Sequence, residues 1–171
     1  TDASVSLAAL QACLSSAVDM SFNRISIDGD QSCNDMVMFM ANGKAKNPPL
    51  CAGSEGWEVF SQAVQEICLE LAHMIVADGE GSTKFITICV REAASKDEAD
   101  RAARSIANSL LVKTAIYGQN ARTISGRVLI ALGYSRVRCD FSHCDLFFND
   151  EIAVLGGVSV ESKEKIKNIV S

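Results

Sequence analysis

Asp78-Gly79-Glu80-Gly81-Ser82-Thr83-Lys84 sets one carboxylate between two glycines, directly ahead of the apolar run Phe85-Ile86-Thr87-Ile88-Cys89-Val90. A polar, flexible loop emptying into a buried strand is where α/β proteins keep their binding and catalytic groups. Just upstream, Trp57, Phe60, Val64, Ile67, Cys68, Leu71, Met74 and Ile75 recur at helical spacing. Residues 55–77 are therefore predicted to form a long amphipathic helix that runs into the loop. Helix, glycine loop and apolar strand in succession make the reading α/β.

Working toward the N-terminus, Asp2, Ser4 and Ser6 offer caps for a helix reaching about residue 20, with Leu7, Leu10, Leu14 and Val18 on one face. Ile25-Ser26-Ile27 alternates at period two, and residues 35–40 form a second apolar run ending at Asn42-Gly43, which reads as two strands around a polar loop. Residues 44–56, with Pro48-Pro49, are the clearest connector and are expected at the surface. Toward the C-terminus, Ser95 is a helix cap with Asp97 and Glu98 in the first turn, and Ala99, Ala102, Ala103, Ile106 and Leu110 are predicted to face inward. A further helix is predicted over 126–132, short strands at 146–148 and 152–155, and a polar helix from Glu161. The expected fold is α/β with a mixed sheet, divided into a main α/β part, 1–135, and a small α+β C-terminal part, 136–171.

Composition narrows the function classes. At 171 residues and 48% apolar, the chain can bury one sizeable core. Net charge is −5 with Lys and Arg dispersed, so there is no electrostatic footprint for nucleic acid or anionic lipid, and neither is expected as a partner. The apolar run at 69–77 is interrupted by Glu70 and His73 and falls short of the ~20 residues that span a bilayer. A soluble chain without a signal peptide is expected. Cys13, Cys33, Cys51, Cys68, Cys89, Cys139 and Cys144 make an odd count, mostly inside apolar patterns where a thiol acts as a small hydrophobe. That usage fits a reducing compartment: cytoplasm, or a mitochondrial or plastid matrix.

Each candidate chemical group has an ordinary reading beside the functional one. Glu80 is on spacing alone a solvated turn residue; its functional reading is a carboxylate that orients an amine or exchanges a proton. Lys84 and Lys113 could bind a carboxylate, although a lysine is more often a surface charge on a snorkelling stem. Asp28, Asp30 and Asp35 suggest a calcium loop, but no glutamate falls where the EF-hand pattern requires it, so they read as loop-bracing groups. Cys139 and Cys144 bracket His143, all zinc-ligand types, yet no second Cys or His pair accompanies them. No metal and no cofactor are expected. Thr1 could be its own catalytic unit, the α-amine taking the hydroxyl proton while the hydroxyl attacks a carbonyl.

Three separated segments agree in order with one family. Phe22-Asn23-Arg24-Ile25 with Asp28-Gly29-Asp30 and Asn34-Asp35, then Asp78-Gly79-Glu80-Gly81 with Thr83-Lys84, then Ile106-Ala107-Asn108-Ser109 with Leu111-Val112-Lys113-Thr114-Ala115, resemble the β chain of the ornithine acetyltransferases, the bifunctional glutamate N-acetyltransferases of arginine biosynthesis. The likeness runs from Thr1 to about Ser135. It implies the layered mixed-sheet sandwich that this family shares with self-processing aminopeptidases. It also implies an α chain from the same precursor as partner in an α2β2 assembly, with N-acetylornithine and glutamate as substrates. The family's glycine-loop glutamate contacts substrate, and that role carries over to Glu80 alone.

The family precursor cleaves itself before the first threonine of a pattern like Ala-Thr-Met-Leu-Ala-Phe-Ile-x-Thr-Asp-Ala. Thr1-Asp2-Ala3 matches the end of that pattern, so the resemblance places the nucleophilic threonine about one short strand upstream of Thr1 and leaves no catalytic residue assigned in this chain. The family usually has proline where Leu110 stands. Between Gly118 and Gly126-Arg127 it has an Asp-Pro-Asn-Trp type turn, whereas this chain reads Gln119-Asn120-Ala121-Arg122-Thr123-Ile124-Ser125. Family β chains also continue into strands bearing an asparagine and a threonine that close over substrate, and the α chain supplies oxyanion donors and a lysine. By the resemblance, this chain alone is an inactive, incomplete β subunit. Two alternatives stay open: an aminopeptidase or amidohydrolase relative in which water accepts the acyl group, and a non-catalytic paralogue or fragment.

Overall fold

The computed structural model describes residues 1–160 together with Ile166. Contacts group the chain into two compact units, Thr1–Ser82 and Thr83–Ser171, each taken by itself below.

The first unit is a helix pair with a long extended segment. α1 (Leu7–Met20) starts where the Ser6 hydroxyl accepts the Ala9 N–H, and it ends at Ser21, whose hydroxyl donates to the Ala17 carbonyl at 2.6 Å. α2 (Trp57–Ala77) is the predicted long helix. It is long and apolar enough, by length and composition, to cross a membrane, a property that core helices share. The two helices meet through Cys13, Ala17, Val64 and Cys68, with Phe22, Phe39, Trp57 and Phe60 packed at the margin. Phe39 stacks on Phe60 at 6.0 Å between ring centroids.

The predicted inward faces are only partly right here. On α1 the buried positions are Cys13 and Ala17, while Leu7 is exposed. On α2 the burial stops at Val64, Cys68 and Ala72, and Ile67, Leu71, Met74 and Ile75 are open to solvent.

The strands predicted at 25–27, 35–40 and 85–90 are a correction: none of them is a strand in this structure. A strand is defined by the neighbour that takes its N–H and C=O groups, and among the described residues these runs lack a ladder. The N-terminus pairs with residues 40–42. The Thr1 amine donates to the Met40 carbonyl at 2.8 Å and Asn42 N–H donates to the Thr1 carbonyl at 3.2 Å. Bonds from one residue to both sides of another, here Ala41, are the parallel pattern. A second parallel bridge joins Val5 and Leu50, beside which the Asn47 amide brackets Ser4.

The second unit contains α3 (Lys96–Ala107), α4 (Leu110–Tyr117), α5 (Ile124–Gly133) and an antiparallel meander of β1 (Leu146–Phe148), β2 (Glu151–Leu155) and β3 (Val158–Ser159). Ser95 caps α3 by accepting the Glu98 N–H, as predicted. The helix does not continue to Leu110, however. It stops at Asn108, and Ser109 caps a new helix by accepting the Val112 N–H. Leu110, predicted inward, is therefore the exposed first residue of α4. Ile106, Val112, Val128 and Ala131 form one core and Ala115, Ala121, Ile124, Ala153 and Ile166 another, with Leu146 and Phe148 packed against both. Residues before and after 135 thus share apolar cores. The polar helix predicted from Glu161 lies outside the described residues, Ile166 apart. The architecture is α/β, and among the described residues its sheet is the antiparallel meander.

Candidate functional site

The glycine loop is built as a continuation of α2. Asp78 N–H bonds back to the Met74 and Val76 carbonyls, and Gly79 N–H reaches Val76 O at 3.3 Å. Ser82 N–H then donates to the Gly79 carbonyl at 2.9 Å, closing a four-residue turn with Glu80 and Gly81 at its centre. Gly81 has φ +71°, the left-handed value that the third position of a type II turn demands and that glycine supplies without a steric cost. A Cβ at Gly81 would meet no neighbour, so its requirement is conformational. The outcome is a carboxylate on a short turn at the end of a long helix, its side chain exposed. Such a group can pair with a cation brought to it.

The other sequence candidates fall elsewhere. Lys84 and Lys113 are both half-buried, the second inside α4. On the same helix the Arg127 guanidinium donates to the Leu111 carbonyl at 2.7 Å and the Thr114 hydroxyl at 3.1 Å, tying α5 to α4. Asp28 braces its loop as expected, one oxygen accepting the Asp30 N–H at 2.8 Å, while Ser32 accepts the Asp35 N–H. Thr1 has its amine on the Met40 carbonyl, and its hydroxyl accepts the Ala3 N–H at 3.2 Å.

At residues 139–144, Asp140 gathers the neighbouring polar groups. One of its oxygens accepts the Ser142 N–H and hydroxyl, and the other lies 3.1 Å from His143 Nδ1. The Ser142 hydroxyl, its N–H and the His143 ring hold the Asp140 carboxyl below the usual range. Among the described residues no group of three His, Cys, Asp or Glu is placed to hold a metal ion.

The turn at 118–126, which departs from the family's Asp-Pro-Asn-Trp pattern, is part of the core. Gln119 takes a left-handed φ of 53°, Asn120 N–H bonds back to the Ala115 carbonyl at 2.7 Å, and Ala121 and Ile124 are buried. Sequence reading missed this. The signal available was the apolar spacing of Ala121, Ile124 and Val128, which continues α5 backwards by one turn.

Comparison with known proteins bears directly on these segments. The ArgJ family model matches residues 1–171. The arginine biosynthesis bifunctional protein ArgJ of Geobacter sulfurreducens is 48% identical over 158 residues, covering 92% of this chain and 40% of that protein. The mitochondrial ArgJ of Schizosaccharomyces japonicus is 49% identical over 135 residues, 79% of this chain and 31% of that protein. The crystal structure of ArgJ from Bacillus halodurans superposes with a TM-score of 0.92 at 38% identity, over 99% of this chain and 79% of that one. The chain thus spans about 40% of the length of such curated relatives. With its sequence matched from end to end and its fold shared with a solved relative, the chain belongs to the ArgJ family.

Proposed function

We propose that this chain is the β portion of an arginine-biosynthesis acetyltransferase that moves acetyl from N-acetylornithine to glutamate through a threonine acyl-enzyme. The observation that carries the reading is the end-to-end match to ArgJ, whose relatives are named arginine biosynthesis bifunctional proteins, together with a glutamate presented on a tight turn. The nucleophile is a threonine preceding Thr1 in the Thr-Asp-Ala pattern. On the Thr-Asp-Ala pattern, Thr1 is a neighbour of the reacting centre rather than its nucleophile. In the first half-reaction the threonine hydroxyl attacks the acetyl carbonyl, its proton passes by way of the α-amine to the departing ornithine amine, and an acetyl ester remains. The glutamate amine then attacks the ester and the hydroxyl is restored. An ester intermediate divides one hard amide exchange into two easier steps.

Glu80 is assigned the amine of the amino-acid substrate, since an exposed carboxylate on a rigid turn can accept from an ammonium group. The remaining groups come from an α chain of the same precursor in an α2β2 assembly, with no nucleic acid or membrane partner. A main α/β part, 1–135, and a small α+β C-terminal part, 136–171, remain the proposed division. The compartment is cytoplasm or, as in the relative named mitochondrial, an organelle matrix; seven free thiols support a reducing one.

The test uses the complete precursor. Acetylornithine-dependent acetylation of glutamate and an intact-mass increase of one acetyl group on the threonine-bearing chain are expected. Glu80→Gln should lower kcat/KM by ~10- to 100-fold, the ~1.5–3 kcal/mol of a hydrogen bond to a charged group, with the unfolding midpoint unchanged. Parental kcat/KM in that variant would overturn the role of Glu80. Absence of any acyl-enzyme would favour the non-catalytic relative, and acetylornithine hydrolysis without glutamate would favour the hydrolase.

A further inference from the structure

Asn42-Gly43 closes the apolar run at 35–40, and the reaction proposed above makes no use of it. An asparagine ahead of a glycine can modify itself: the next backbone nitrogen attacks the side-chain amide carbon, and glycine has no Cβ to obstruct the approach. A folded chain permits this where the attacking N–H is not already bonded, the amide is folded over it, and the surroundings are open. Asn42 meets all three conditions. Its side-chain oxygen accepts the Lys44 N–H at 3.0 Å, a turn that lays the carboxamide back along its own following peptide, beside the Gly43 nitrogen. The same bond puts a donor on the oxygen where negative charge develops during attack. Gly43 has a left-handed φ of +69°, and a Cβ there would meet nothing within 4 Å. Among the described residues its N–H makes no hydrogen bond, and Asn42 itself is exposed. Other asparagines are followed by engaged nitrogens. Asp35 N–H, after Asn34, donates to the Ser32 hydroxyl at 3.1 Å. Ser109 N–H, after Asn108, donates to the Ile106 carbonyl at 3.2 Å, and Ala121 N–H, after Asn120, to the Gln119 carbonyl at 3.1 Å.

We propose that Asn42 is a site of spontaneous modification, converting through a succinimide to isoaspartate. The Gly43 nitrogen gives its proton to solvent and bonds to Asn42 Cγ. The Cγ–NH2 bond breaks, and the amide nitrogen takes up a proton and leaves as ammonia. Water then adds to one of the two ring carbonyls, and the bond from that carbonyl to the Gly43 nitrogen opens. One water enters, one ammonia leaves, and nothing is oxidised or reduced. Opening at the α-carbonyl leaves Gly43 attached through Cγ, which is the isoaspartyl product; opening at Cγ gives aspartate. The isoaspartyl chain carries one extra main-chain carbon and a carboxylate where the α-carbonyl stood. That carbon falls between two anchors: Asn42 N–H donates to the Thr1 carbonyl at 3.2 Å and Ala45 N–H to the Asp2 carbonyl at 2.8 Å. The conversion therefore breaks the register in which residues 1–2 are held against 42–45.

The test is incubation of the folded protein at neutral and mildly alkaline pH, then tryptic digestion and fragmentation of peptide 25–44, which holds both Asn34 and Asn42. The expected product has the Asn42 amide replaced by a carboxyl, with isoaspartate in excess of aspartate and Asn34 intact. The rate should rise with pH, since the Gly43 nitrogen attacks as its anion, and should equal or exceed that of the synthetic peptide 25–44 under the same conditions. Amide exchange at Ala45 should quicken in the isoaspartyl form. Gly43→Ala, which adds a Cβ beside the attacking nitrogen, should suppress the conversion. A rate in the folded protein below that of the peptide, conversion of Asn34 ahead of Asn42, or unchanged exchange at Ala45 in the isoaspartyl form would each overturn the proposal.

Discussion

Ile124, Val154 and Ile166 are removed almost wholly from solvent in the second unit, whereas the most solvent-shielded residues of the first unit are the smaller Cys13, Ala17, Cys68 and Ala72, with Ser21. Around that thin core Met36, Met38, Met40, Ile67, Met74 and Ile75 are each more than half exposed. The second unit carries exposed apolar residues too, among them Leu110, Ile130 and Phe147, but its helices and meander enclose two cores. Burial follows what lies opposite a face, and hydropathy periodicity records only that a face is meant to be covered. The chain spans about 40% of the length of its relatives, so the first unit's pattern is expected to refer to more protein than this chain contains.

The largest effect that could break the contrast is a pair of truncations. Ile124→Ala should cost ~2–5 kcal/mol, a buried branched side chain leaving a cavity. Ile67→Ala, at 57% exposure, should shift stability by less than ~0.5 kcal/mol in this chain. Urea unfolding of both variants checks the pair. Equal losses would mean that the exposed face of α2 is already doing core work, and the contrast between the units would fail. A loss at Ile67 that appears only in the complete protein would sharpen it, by showing that the face is covered there.

That contrast also explains what the sequence could and could not reveal. Helix boundaries set by local chemistry were legible: the Ser6 and Ser95 caps and the span of α2. Failures came wherever the answer depended on a partner. Residues 35–40 and 85–90 have strand composition, but a strand requires a ladder from elsewhere. The break at Asn108–Ser109 lies within the segment that resembles the family's helix ending, but the apolar spacing through Leu110 ran across it and outweighed a serine that could cap inside the run. For the site, the residue type and turn around Glu80 were legible. Its surroundings were not, since a turn motif specifies its own backbone and nothing that approaches it.

A smaller effect should appear in the pH dependence of the first unit. Burial pushes the Cys13 and Cys68 thiols up, with Cys68 adding to the shift of Cys13. The folded state then holds protons that the unfolded state gives up. Stability is therefore full below the ordinary thiol range, about 8.5, and is lost as pH rises through the raised values. Trp57 is the sole tryptophan and packs against Phe60 in the first unit, so its fluorescence reports that unit. Its melting midpoint should fall between neutral pH and alkaline pH, and Cys13→Ala with Cys68→Ala should flatten the slope whatever their cost at neutral pH. An unchanged slope would show that neither thiol is withheld from ionisation.

The smallest expected change tests whether the second unit's local rules are complete enough to be edited. Leu110 is the first residue of α4, 72% exposed, behind a Ser109 cap with φ −69° and ψ 112°. First helical positions favour proline, whose missing N–H has no intrahelical partner to lose and whose ring fixes the required φ. The extended Ser109 is also the conformation that a following proline imposes. Leu110→Pro should accordingly raise stability by ~0.4–1 kcal/mol, mainly by restricting the unfolded chain. A destabilised variant would mean that α4 does not begin at Leu110 in solution and that α3 runs through Asn108 and Ser109 as the apolar spacing predicts.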